Sequence, residues 1–363
     1  MEANTTDILS RFALEGTIES VKPLGNGLIN DTYKVTTSAG APDYVLQRIN
    51  DAIFRDVALL QRNIEAVTRH IRAKLKAAGE EDLDRKVLRF IPLSDGSGKT
   101  WCRVDGNCWR VSVFIPDAFT YDTVDPVYSG FAGQAFGRFE ALLADLPDTL
   151  GETIPDFHNM EFRARQLEEA VAADKAGRLQ KPQVQAMLQD IQSHIHDMCL
   201  AERLFREGKL PRRICHCDTK VNNMMFDSQG RVLCVIDLDT VMPSFVFSDF
   251  GDFLRTAANT VAEDDPAMEK VAFRKDIFEA FTRGYLSSAS AFLTPVERDM
   301  LPYGVMLFPF MQAVRFFTDY LNGDTYYKIA YPEHNWIRTR NQMALFHCVR
   351  ANEDYMKEFI RSI

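Results

Sequence analysis

Basic character is what this chain most plainly lacks. Lysine and arginine number 42 against 51 aspartates and glutamates, a formal net charge of −9 at pH 7. Nucleic acids and anionic membranes reward a basic face, so this balance argues against a general partner of either kind. A small anionic ligand held by a few local cations is still compatible with it. Long hydrophobic runs are missing too: the most apolar stretch, LPYGVMLFPFM from Leu301, carries Pro302 and Pro309. It is too short to span a bilayer and reads as a buried core helix or helix pair. No disulfide framework is visible in the seven cysteines at positions 102, 108, 199, 215, 217, 234 and 348. An odd, irregularly spaced set in a chain of this size predicts reduced thiols and a cytoplasmic protein. The opening MEANTTDILSRF has no apolar core of the kind a secretory leader needs. Neither an internal repeat nor a low-complexity tract is present.

The composition, 46 % apolar and 26 % charged over 363 residues, is that of an ordinary globular chain long enough for two lobes. Residues 18–35 alternate around a glycine-bearing turn, GNG. YVLQRIN, Tyr44 to Asn50, has strand length and strand composition. Ile53, Val57, Leu60, Ile64, Val67, Ile71 and Leu75 then recur at three- and four-residue steps, predicting a long helix with Asp51 as its cap and Gly79 as its stop. Short strands are expected over 87–92, 100–104 and 108–115, with DGSG and DGN as turns. The Pro/Asp-rich PDAFTYDTVDP reads as a linker, after which helical patterns dominate; TPVE from Thr294 has the form of a capping box. The expected fold class is α+β, with a small sheet-containing N-terminal lobe over residues 1–115 and a larger, mainly helical lobe over 116–363.

The densest chemistry lies in CHCDTKVNNMMF from Cys215. A metal site is disfavoured, because adjacent ligands in an extended chain point opposite ways and no second Cys/His cluster is evident. A Cys217–His216 nucleophile is disfavoured too, since such pairs are normally assembled by the fold rather than by adjacency. The spacing His216-x-Asp218-x-x-x-x-Asn223 fits phosphoryl transfer, with Asp218 accepting the proton of an attacking hydroxyl and Asn223 reaching a magnesium ion. The short strand in VLCVIDLD then delivers Asp237, a second hard oxygen ligand, with Asp239 beside it as either a metal contact or a supporting carboxylate. Upstream, Gly25 and Gly27 form either a plain hairpin turn or a loop that lays backbone amides over phosphates. A strand cation paired with a helix glutamate is also wanted. The candidate glutamate is Glu65, with a solvated helix face as the competing reading, and Gln47 stands where the lysine is expected. Gln47 as a neutral donor, Arg48 or Lys34 could fill that role.

With GxINxTYxV after the glycine turn, HxDTKxNN, IDLDTVMP running into DFGDxxR, and the blocks RFFTDYLNGDTYY and YPEHNWIRTR, the chain resembles the aminoglycoside phosphotransferase/choline kinase superfamily over most of its length. Within it the resemblance is strongest to bacterial N-acetylhexosamine 1-kinases. That resemblance implies a protein-kinase-like fold, ATP and Mg2+ as cofactors, and an N-acetylhexosamine as the small-molecule substrate, phosphorylated at its 1-hydroxyl. A kinase of another small alcohol (another sugar, an amino alcohol or an aminoglycoside) and a nucleotide-binding pseudokinase are the alternatives. It further implies Asp218 as base, Lys220 near the transferred phosphate, Asn223 and Asp237 on magnesium, and Asp249 bracing the loop. Phe114 and Ile115 would meet adenine; Arg315 and Tyr326 would face the sugar. The competing reading of Arg315 is a salt bridge with Asp319 or Asp324, that of Tyr326 and Tyr327 a core or rim role, and that of His334 a loop hydrogen bond. Leu28 departs from the polar residue that could bond substrate from the loop.

Overall fold

The computed structural model describes residues 5–25, 29–122 and 124–363. Gly27 and Leu28, and with them part of the expected phosphate loop, lie outside the described residues. The chain divides into two compact units, each assembled from separate segments. The first comprises Met1–Tyr121, Asp145–Pro155 and Asn222–Met242; the second comprises Asp122–Ala144, Asp156–Val221 and Pro243–Ile363.

In the first unit five strands form one antiparallel sheet in the order β1-β2-β3-β5-β4. They are β1 (Ile18–Pro23), β2 (Asp31–Thr37), β3 (Tyr44–Ile49), β4 (Trp101–Val104) and β5 (Asn107–Val113). Gly25 turns the chain between β1 and β2 at φ +70, a conformation an L side chain rarely takes. Asp105 and Gly106 join β4 to β5, both with positive φ, as a two-residue hairpin matching the sheet twist requires. One face packs Val35, Tyr44, Leu46, Trp109 and Val111 against Ile8, Leu9 and Phe12. On the other, the register places Thr32 opposite Gln47, and Gln47 opposite Arg110.

The long helix runs Val57–Ala77 and is capped by Asp56, whose side chain accepts from the Leu59 N–H, rather than by Asp51. Ile53 therefore falls in the preceding turn, and it is 41 % exposed. The apolar period extended backwards past the cap because 51–56 happens to share its spacing. Gly79, at φ +76, follows the helix as expected. No strand forms over 87–92: Phe90 makes only an isolated bridge to Ser112, and Pro92, without an N–H, cannot extend the ladder.

The second unit is mainly helical. Its apolar centre is a single helix, Leu301–Leu321, with Pro309 inside it. The capping box at Thr294 is formed as read from the sequence. Close helix approaches depend on glycine. A Cβ at Gly133 would overlap the Phe281 carbonyl, and one at Gly251 would overlap the Gly304 carbonyl, whereas at Gly130 it would meet nothing closer than Ala280 O at 3.6 Å. Among the described residues no helix is long and apolar enough to cross a membrane.

The contrast along one helix is testable. Gly133→Ala should cost about 1–3 kcal/mol of stability through overpacking, while Gly130→Ala should be neutral or gain up to about 1 kcal/mol from helix propensity. Urea unfolding of the two variants checks this, and equal effects would contradict the packing.

Candidate active site

The stretch Cys215–Lys220 belongs to the helical unit, and its shape is set by the helix Phe247–Ala257. The Asp249 carboxylate accepts the His216 and Cys217 N–H groups, each at 2.7 Å. One turn later Asp252 accepts the Thr219 N–H at 2.9 Å, and the Thr219 hydroxyl donates to the Asp249 carbonyl at 2.8 Å. Cys217 is held at φ +63, a strained conformation that persists only where the surroundings determine it. His216 is fully buried, with Phe136 and Phe139 edge-on at 5.5 and 5.8 Å, and its Nδ1 accepts the Asp218 N–H at 3.3 Å. The histidine thus serves to orient the loop.

The nucleophile reading of Cys217 gains no support from its surroundings. Burial, then the Asp249 charge, pushes the Cys215 and Cys217 thiols well above their ordinary range, so neither is a ready thiolate. Cys215 Sγ sits with Glu140 and Asp249 in a closed interior rather than with Asp218.

Asp218 and Lys220 are brought together, Oδ1 to Nζ at 2.6 Å. Burial works against the Lys220 charge, but Asp218 outweighs it and raises the ammonium above its usual value. Both line a cavity of about 170 Å³ within the helical unit, together with Asp252, Arg255 and Arg315. Its walls include Phe157, His158, Phe308, Met311 and Gln312. Four of the five charges have opposite partners: Lys220 has Asp218, and Arg255 has Asp252 at 3.8 Å and Glu263 at 2.8 Å. Arg315 has no carboxylate partner among the described residues. Its Nη1 donates to Gln312 Oε1 at 3.1 Å, and its guanidinium lies 5.6 Å from the Phe157 and Tyr327 rings. The carboxylates that the sequence offered it are used elsewhere. Asp319 accepts the Thr325, Tyr326 and Tyr327 amides, and Asp324 pairs with Arg178.

Tyr326 is 73 % exposed and is not among the residues lining the cavity; its neighbour Tyr327 is the one packed on Arg315. His334 uses both ring nitrogens locally, toward Ala330 and Asp264. Sequence reasoning missed His158, an isolated histidine in a loop with no motif around it. Its ring stacks on Phe157 at 4.4 Å, and its buried Nδ1 has no hydrogen-bond partner. Burial, then the charges of Arg315, Arg163 and Arg255, hold this histidine neutral, so it can exchange a hydrogen bond with an uncharged hydroxyl.

In the sheet unit, Asn223 and Asp237 are joined through the backbone: Ile236 N–H donates to Asn223 O at 2.9 Å, and Met224 pairs with Val235. Asn223 is buried, while Asp237 is exposed at φ +60. An amide and a carboxylate oxygen on one short hairpin are donors of the kind a magnesium ion takes. Gln47 stands between Thr32 and Arg110, accepting the Arg110 Nε–H at 2.9 Å. Arg48 pairs with Asp31 and Lys34 with Asp43, so both are committed elsewhere. Glu65 accepts from the Thr100 hydroxyl. After β5, Phe114 N–H donates to Asp43 O at 2.9 Å, and Ile115 is buried.

The sequence profile of the phosphotransferase enzyme family matches residues 20–287. Among solved structures, the chain is similar to an aminoglycoside phosphotransferase from Alicyclobacillus acidocaldarius, with 14 % identity, 98 % of each chain covered and a TM-score of 0.62. It is similar also to a spectinomycin phosphotransferase solved with ADP and spectinomycin, with 11 % identity, 96 % of this chain and 99 % of that one covered, and a TM-score of 0.55. A choline/ethanolamine kinase family protein from Mesorhizobium loti follows at 16 % identity, 95 % and 93 % coverage and a TM-score of 0.51. At these identities the likeness establishes the protein-kinase-like fold.

Asp249 provides a pH test. Burial, opposed by His216 and the two amides, raises its carboxyl from 3.8 to about 6. A carboxyl raised on folding stabilises below its unfolded value and loses that contribution as pH climbs through its folded value. The stability of the wild type minus that of Asp249→Asn should therefore fall by up to about 3 kcal/mol between pH 4 and 7. Urea unfolding across that range measures it; a difference independent of pH would contradict the assignment.

Proposed function

The chain belongs to the phosphotransferase enzyme family, and on that premise we propose that it transfers the γ-phosphoryl group of ATP to the 1-hydroxyl of an N-acetylhexosamine, GlcNAc or GalNAc. The observation that carries this reading is the unmatched Arg315 guanidinium in the acceptor cavity. A cationic acceptor such as choline or an aminoglycoside would be repelled by it. A neutral sugar, rich in hydroxyl and carbonyl acceptors, would satisfy its donors and could bond His158 as well. The cavity, about 170 Å³, is also small beside sites for drug-sized ligands, which run to roughly 300–1,000 Å³.

In this reading Asp218 is the base that takes the proton of the attacking hydroxyl. Lys220, fixed by Asp218 at 2.6 Å, offsets charge on the transferred group. Asn223 and Asp237 would hold magnesium, which would neutralise phosphate charge when bound. Gly25 and Gln47 belong to the nucleotide side, and the Phe114 carbonyl and Ile115 meet adenine. Catalysis comes mainly from positioning and charge stabilisation, since little covalent chemistry falls to the protein.

ADP release with Mg-ATP across GlcNAc, GalNAc, glucose, galactose, choline and kanamycin tests the acceptor. Turnover is expected on the N-acetylhexosamines and not on the two cations. Preference for choline or kanamycin would overturn the charge argument, and preference for another neutral sugar would keep that argument and discard the N-acetyl group. Two variants test the roles. Asp218→Asn should lower kcat by about 10²–10⁴ with nucleotide affinity retained. Arg315→Met should raise KM for the sugar by about tenfold or more, leaving KM for ATP unchanged. Wild-type kinetics in either variant would sink its assignment.

A further inference from the structure

Gln47 occupies the position of the expected lysine, yet a buried cation stands directly opposite it in the sheet. Arg110, the one charged residue of β5, is 3 % exposed, and three contacts fix it. Its Nε donates to Gln47 Oε1 at 2.9 Å, its Nη2 lies 2.6 Å from Asp239 Oδ1, and its guanidinium lies over the Phe90 ring at 5.5 Å. A lysine at position 47 would set a second cation against Arg110; a glutamine offers it an acceptor instead.

Asp239 is held from three sides. Besides Arg110, Asn30 Nδ2 donates to its Oδ2 at 2.6 Å, and the Thr153 hydroxyl donates to its carbonyl at 2.9 Å. Asn30 in turn accepts the Asn50 N–H at 3.0 Å, tying in the end of β3. Two residues before Asp239 stands Asp237, a non-glycine residue at φ +60 and ψ 59. Aspartate takes this conformation more readily than most residues, and here both flanks are held. One flank is pinned by the bond from Ile236 N–H to Asn223 O, the other by the Asp239 cluster.

We propose that Arg110 is a positioning residue which, through Asp239, sets the Asp237 carboxylate for the metal–nucleotide complex, so that the charge usually carried by the strand lysine acts here from the neighbouring strand and through a carboxylate. The inference rests on the nucleotide-side reading given above, but not on the acceptor. ADP titrations by calorimetry over a series of Mg2+ concentrations test it, with melting temperatures recorded alongside. In Arg110→Met the Mg2+ requirement for tight ADP binding should rise about tenfold or more, with metal-free ADP affinity nearly unchanged. Arg110→Lys should restore most of the loss. If Arg110→Met does not fold, Asp239→Asn, which breaks the same pair, should give the same shift. Folded variants with a wild-type Mg2+ dependence would overturn the proposal, as would a lowered melting temperature without a shifted Mg2+ requirement. Because no acceptor is present, an N-acetylhexosamine that fails as substrate leaves this result standing. A wild type without Mg-dependent ADP binding would overturn both this and the nucleotide-side reading.

Discussion

A single buried carboxylate, Asp249, accepts two successive backbone amides, and the geometry of the phosphotransferase loop depends on it. A carboxylate removed from water is costly unless hydrogen bonds replace its hydration. Here His216 and Cys217 supply both at 2.7 Å, and in doing so they fix the left-handed turn that carries the chain to Asp218. Asp252 repeats the device at Thr219, one helical turn on. The helix bearing both aspartates can lie where it does because Gly251 and Gly304 let it approach the central apolar helix closely. Sequence, helix packing and loop conformation are therefore one linked constraint.

The same economy of charge governs the cavity beside Asp218. Lys220 and Arg255 are matched by neighbours, so they contribute local polarity with little net field. Arg315 is left with an amide and two aromatic rings. A cation in such a setting is stabilised by ring faces, yet keeps donors for a ligand. His158, kept neutral by its burial and then by Arg315, Arg163 and Arg255, adds a group that can give or take one hydrogen bond without adding charge. On the proposed reading, that combination would suit a polyhydroxylated neutral acceptor.

Local patterns were legible in the sequence where chemistry demands fixed spacing. The strand leading to Asp237, the Thr294 capping box and the Gly79 stop all depend on residues a few positions apart. Helix onset was misplaced at Asp51 because periodicity alone does not say which aspartate reaches an N–H; Asp56 does. The strand expected over 87–92 failed for lack of ladder donors at Pro92 and a continuous partner. Arg315 could not be resolved, since its possible partners Asp319 and Asp324 are committed by loop amides and Arg178 only in three dimensions. Arg110 was overlooked although a lone arginine in NCWRVSV was a signal; its meaning required knowing that β5, not β4, lies beside β3. His158 carried no sequence signal at all.

The most direct test of the central claim is the position of the phosphate in the product, read by proton–phosphorus NMR after reaction of GlcNAc or GalNAc with Mg-ATP. The account predicts coupling of the new phosphorus signal to the anomeric proton, with loss of the reducing end. Coupling to a ring or 6-position proton, or no transfer to either sugar, would contradict it.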